Sequence, residues 1–143
     1  MIDTGANAVV NSGTLEATGT GGLIIHGDLS NSGLLWANNG NVTVDGNVSG
    51  TGSAQMDGLA TMEFSGAFDE NIMMSVSAQG TLKLDHSADF SGVVSGLDGN
   101  DVLDLADIAT GSATVNYAAN EAGTGGTLTV SDGTNTANIA LVG

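Results

Sequence analysis

The chain has 143 residues, with 23 glycines, no proline, no cysteine, and one Lys+Arg against 16 Asp+Glu, for a formal net charge of −15. That length fits one domain with a modest core, and the lack of cysteine excludes disulfides and thiolate metal sites. The charge argues against nucleic acid, whose phosphates need Lys and Arg, and against anionic membrane surfaces; it favours solubility and attracts divalent cations.

The opening Met1-Ile2-Asp3 has no basic region and leads into no long apolar run, so neither a signal peptide nor a membrane span is read here. The repeat pattern is already running at the first residues, which reads as a segment cut from a longer protein. Hydrophobic residues make up 41% of the chain. They alternate in register, which excludes disorder.

In chain order, the alternating pairs are Leu23 and Ile25, Val42 and Val44, Met62 and Phe64, Leu82 and Leu84, then Leu103 and Leu105. Their spacings are 19, 20, 20 and 21 residues, and Gly27, Gly46 and Gly66 follow the first three. A second column runs Leu15, Leu35, Ala54, within "SGTLEA", "SGLLWA" and "TGSAQM". A third, looser column runs Val9-Val10, Leu29, Val48, Phe68, Phe90. Period-2 alternation means strands. Strands recurring at a fixed period near 20 mean a solenoid, whose coils bury their apolar faces only by stacking. Glycine and asparagine supply the positive-φ corners, and the absence of proline suits strands that need every N–H. The expected fold is therefore all-β: a parallel β-solenoid of about five ~20-residue coils. Right-handedness is assigned by analogy with other β-helices. An antiparallel β-sandwich of short strands is the competing architecture.

Regular coils are expected over 1–105. Residues 106–126 read as an irregular segment with one strand, "ATVNY", and a polar loop, "NEAGTGG". Residues 127–143 alternate on both sides of Asp132-Gly133-Thr134-Asn135, which predicts a terminal β-hairpin with Leu128 and Val130 facing Ile139 and Leu141. Such a hairpin would cap the open edge of the solenoid.

The stretches "VVNSGTLEATG", "GTLKLDHSADFSGVVSGLDGNDVLDLADI" and "GGTLTVSDGTNTANIALVG" resemble the β-strand-repeat module of very large, adhesin-like and autotransporter-like secreted proteins of Gram-negative bacteria. The resemblance covers most of the chain. It implies an extracellular or cell-surface β-helix module serving as a stalk, spacer or contact surface, with a glycan or host-surface partner.

Among candidate chemistries, "GLDGNDVLDL" (Gly96–Leu105) is the sharpest. It resembles the second half of the calcium-binding nonapeptide G-G-x-G-x-D-x-U-x, with Leu97 in place of the second glycine and only one copy. It marks Asp98, Asn100, Asp101 and Asp104 as candidate calcium ligands, against the plainer reading of an Asp-Gly turn entering a strand. Trp36 falls outward between Leu35 and Ala37, where it could stack a sugar or line a subunit contact, or lie covered by a neighbouring loop. His26 and His86 end similar strands three coils apart, on the order of 14 Å, too far to share an ion. The acids Asp3, Glu16, Asp28, Asp45, Asp57, Glu63, Asp69 and Glu70 are scattered. Asp69-Glu70 fall in a predicted loop, and no pair lies across a cleft as a glycosidase requires. The single cation, Lys83, is expected on the outward column between Glu63 and Asp104, and His26 beside Asp45.

The function expected from the residues and the resemblance is structural, without enzymatic activity. The rivals are a polysaccharide-binding or polysaccharide-cleaving β-helix and a self-assembling fibre unit whose ends pair head to tail. Neither nucleic-acid binding nor membrane insertion is expected.

Overall fold

Each repeat of about twenty residues folds as one turn of a three-sided coil, because its apolar columns have no partner until the next turn lies on them. The computed structural model covers residues 1–143. The first turn contains β1 (Ile2–Asp3), β2 (Val9–Asn11) and β3 (Thr14–Ala17), and the second β4 (Leu23–His26), β5 (Leu29–Asn31) and β6 (Leu34–Asn38). The third contains β7 (Val42–Val44), β8 (Val48–Gly50) and β9 (Ser53–Asp57). In the fourth, β10 (Thr61–Phe64) and β11 (Asn71–Met74) flank the single bridging residue Phe68; in the fifth, β12 (Thr81–Leu84) and β13 (Val93–Ser95) flank Phe90. β14 (Val102–Leu105) opens a sixth turn.

The strands stack into parallel sheets in the orders β1-β4-β7-β10-β12-β14, β2-β5-β8 and β3-β6-β9-β11-β13. The chain is thus a parallel β-solenoid of about five turns, as the repeat predicts. The register is the predicted one: Met62 pairs with Val42 and Leu82, Phe64 with Val44 and Leu84, and Leu82 with Leu103. The second column continues from Leu15, Leu35 and Ala54 through Ile72 to Val94. The third stacks Val9, Leu29, Val48, Phe68 and Phe90.

Ile25, Val42, Val44, Met62, Phe64, Phe68, Leu82 and Leu84 are buried in one continuous core. The core residues at the ends of the stack, Ile2 and Leu15 at one and Leu103 and Leu105 at the other, are only partly covered. Inside, the Phe64 and Phe68 rings sit 4.0 Å apart between centroids, and Phe68 stacks on Phe90 at 5.8 Å.

Beyond β14 the chain builds β15 (Thr114–Ala119), β16 (Gly125–Ser131) and β17 (Thr136–Val142). The predicted hairpin around Asp132–Asn135 is β16–β17, with Leu128 opposite Ile139. Closure of its turn on the Ser131–Thr136 pair puts Val130 opposite Ala137 and Leu141 opposite Gly126, rather than each other's apolar partner. The segment expected to be irregular contributes more than one loose strand: β15 pairs with β16 along its whole length, making a three-stranded antiparallel unit. β17 also joins the solenoid. It pairs parallel with β13, Val94 opposite Leu141, and so takes the third-side place of the sixth turn.

Candidate functional site

Polar side chains in this fold act mostly between turns. Asp28, Asn41 and Asn47 each accept a hydrogen bond from a backbone N–H one coil ahead, at Asn47, Thr61 and Ala67. Asn71 does the same for Val93. Each tie spans 19–22 residues, one turn of the solenoid. The predicted outward column on the first side is present. Lys83 lies between Glu63 and Asp104 in register, and its ammonium pairs with Glu63 and with Asp85. Hydrogen bonds from the ammonium to these carboxylates raise the Lys83 pKa well above its ordinary value. His26 contacts Asp45, as expected, and His86 Nδ1 lies 2.7 Å from the Ser65 carbonyl.

In the Asp98–Asp101 turn the carboxylates accept from backbone N–H groups. Asp98 Oδ1 accepts from Asn100 N–H at 2.7 Å; Asp101 accepts from Asp98 N–H through Oδ2 and from Gly80 N–H, one coil back, through Oδ1. Asn100 is exposed, and Asp104 stands apart on the outward face of β14 opposite Lys83. The turn therefore gathers Asp98 with Asp101, leaves Asp104 out, and engages three carboxylate oxygens with N–H donors. No group of three or more His, Asp or Glu side chains is arranged to hold a metal ion.

Trp36 points outward, as alternation predicts, but is half-buried, with its indole Nε1–H donating to Asp57 Oδ2 one coil on. Gln55 donates to the same oxygen at 2.6 Å. Burial pushes the Asp57 carboxyl up, yet hydrogen bonds from Ser75, Gln55 and Trp36 outweigh it and hold the group below its ordinary range. The indole nitrogen is thus tied to the next coil, with its hydrogen bond satisfied.

One acid departs from the predicted solvated coat. Glu70, placed by the sequence in a loop beside Asp69, is only 3% exposed. It ends an internal polar column. Asn11 Nδ2 donates to Asn31 Oδ1 at 2.7 Å, and Asn31 Nδ2 donates to Glu70 Oε2 at 2.7 Å across two coils. That reach is possible because Gly50, paired with Asn31, puts no side chain in the column and Gly52 leaves room for the Asn31 amide, whose Nδ2 lies 2.5 Å from where a Cβ would stand. Glu70 Oε1 is buried without a hydrogen-bond partner. Burial, opposed by the Asn31 amide and the Gly52 backbone N–H and reinforced by the nearby Asp69, raises its pKa above the ordinary 4.5. The signal in the sequence was the repeated "NSG" at Asn11 and Asn31, which marks a stacked asparagine position.

The main concavity lies at the C-terminal end. β14 is the last strand of the first side, whereas the third side runs on through β17, β16 and β15. Because β17 stands level with β14, β16 and β15 overhang it by two strands, about 10 Å. The step encloses a cleft of about 330 Å³ with Leu103, Leu105 and Ile108 as floor and Leu128, Val130 and Val115 as wall; Asp104 stands at its rim. A step of this kind offers an apolar surface together with the open edge of β14 at Leu103, the Leu105 carbonyl being taken by Ile108 N–H at 3.1 Å. No family model matches the chain, and no curated protein or solved structure matches it either.

Proposed function

We propose that the chain is a structural repeat module of a secreted or cell-surface bacterial protein, a stalk or spacer whose outer faces are available for contact, without catalytic activity of its own. The observation that carries this reading is the use of the polar side chains. Carboxylates and amides that could otherwise bind or react are engaged in tying one coil to the next: Asp28, Asn41 and Asn47 on backbone N–H groups, Asp101 on Gly80, Asp57 on Trp36. Such a solenoid keeps its cross-section while its length scales with the number of coils. The acidic coat keeps it soluble.

The experiment is to duplicate one coil, residues 41–60, in tandem. A spacer tolerates the added turn: the particle lengthens by about 4.8 Å in solution scattering, and the melting temperature does not fall. The same preparations are screened against polysaccharides by reducing-sugar release and on a glycan array. Turnover abolished by a single Asp→Asn change, or collapse of the lengthened chain, overturns the reading.

A further inference from the structure

The C-terminal step is shaped for a strand. β14 is an edge strand: Val102 and Ala106 donate backwards to Gly80 and Leu84, so the alternate groups at Leu103 face the open side. Beside that edge the cleft presents Leu103 and Leu105 below and Leu128, Val130 and Val115 on the overhanging wall. An added strand would find backbone partners on one side and an apolar surface on the other, the arrangement used in β-strand addition.

Charge selects the occupant. On the outward face, the positions stacked at this register read Glu63, Lys83, Asp104. Lys83 turns back to Glu63 and Asp85, which leaves the exposed Asp104 carboxylate at the end of an alternating column. Asp98, Asp101 and Asp107 flank the same last turn, and the chain's single Lys/Arg residue is already paired. A second copy of this chain is a poor fit. It carries −15 itself and has one Lys/Arg residue, Lys83, already held by Glu63 and Asp85, so it brings no free cation to Asp104.

We infer that the β14 edge is a docking site for an extended segment of another polypeptide with the pattern apolar–cationic–apolar. Its two apolar side chains extend the Leu103 and Leu105 columns into the cleft, and its Lys or Arg stands over Asp104. The inference rests on the geometry of the step and holds whether or not the chain serves as a stalk.

The test uses the whole chain, isotopically labelled, and a synthetic peptide, Gly-Thr-Leu-Lys-Leu-Asn-Gly, with a Lys→Glu counterpart. The expected result is saturable amide shift changes at residues 103–105 and 128–130, with the Lys peptide bound about 1.4- to fivefold more tightly than the Glu peptide, the range of one cross-strand charge pair. Asp104→Lys, at an exposed site, reverses that preference. Val115→Asp, on a side chain 68% exposed, weakens both peptides while the rest of the spectrum stays that of the folded chain. Absence of shifts at β14 up to millimolar peptide overturns the inference. So does equal binding of the two peptides, or a preference that Asp104→Lys leaves unmoved. Concentration-dependent shifts at β14 without peptide would assign the edge to a second copy and refute the cationic partner.

Discussion

Replacing Glu70 by Gln should stabilise the protein at neutral pH, although Glu70 is buried and hydrogen-bonded. Only one of its oxygens is hydrogen-bonded, by the Asn31 amide at 2.7 Å; the other is enclosed without a partner, the neighbouring Gly52 N–H being committed to the Asn31 carbonyl at 3.1 Å. A buried polar atom left unsatisfied costs about 1–3 kcal/mol, and more on a charged group. Glutamine keeps an oxygen for Asn31 and removes the buried charge, at the cost of a weaker neutral orphan. The net gain at pH 7 is about 1–2 kcal/mol, which for a chain of this size raises the melting temperature by roughly 3–6 °C. The pH dependence has a defined sign. The folded pKa of Glu70 lies above the ordinary 4.5, because of burial first and Asp69 in addition. Protonation is therefore favoured in the folded state, and the contribution of Glu70 to stability is fully present below about pH 4.5 and lost as pH rises through the folded value. The Gln variant should match the wild type near pH 4 and exceed it at pH 7. Thermal melts of both proteins from pH 4 to 8 measure that difference directly, with all other carboxylates cancelling. A Gln variant that melts lower at pH 7, or a difference constant across the range, would show that solvent or an unseen donor serves the carboxylate.

Phe64→Ala removes a fully buried ring from its tilted contact with Phe68 and should cost about 3–5 kcal/mol; a urea midpoint left unchanged would remove Phe64 from the core. Gly92→Ala should be at least as damaging, about 3 kcal/mol or more, since a Cβ there would lie 1.7 Å from the Glu70 carbonyl oxygen; wild-type stability would mean the coil corner relaxes freely. Asp101→Ala should lower stability by about 1–2 kcal/mol in the absence of any cation, because both carboxylate oxygens accept backbone N–H groups. Millimolar calcium should leave the melting temperature in place for the same reason. A calcium-dependent rise abolished by Asp101→Ala would instead make the turn a cation site.

Much of this architecture follows from the residues alone. A period near 20, carried by three apolar columns, specifies which strands stack, which side chains turn inward, and that Lys83 lies between Glu63 and Asp104 while His26 meets Asp45. Side-chain direction alternates along a strand and register is kept by burial, so position in the repeat is enough. The remainder depended on contacts between segments that the repeat does not relate. Asp69 and Glu70 are neighbours in a polar stretch; the gap left by Gly50 and Gly52 and the amide of Asn31 draw Glu70 inside and leave Asp69 in water. "DGND" reads equally as a cation loop or a corner, and the repeat does not announce that Asp101 reaches the Gly80 N–H one coil back. The terminal hairpin was visible in its own alternation, yet not that β17 would join β13 and carry β16 and β15 past the end of β14. That choice of partner creates the cleft. It was decided by which open edge of the stack β17 could reach and cover, an energy that belongs to the assembled coils and to no single segment.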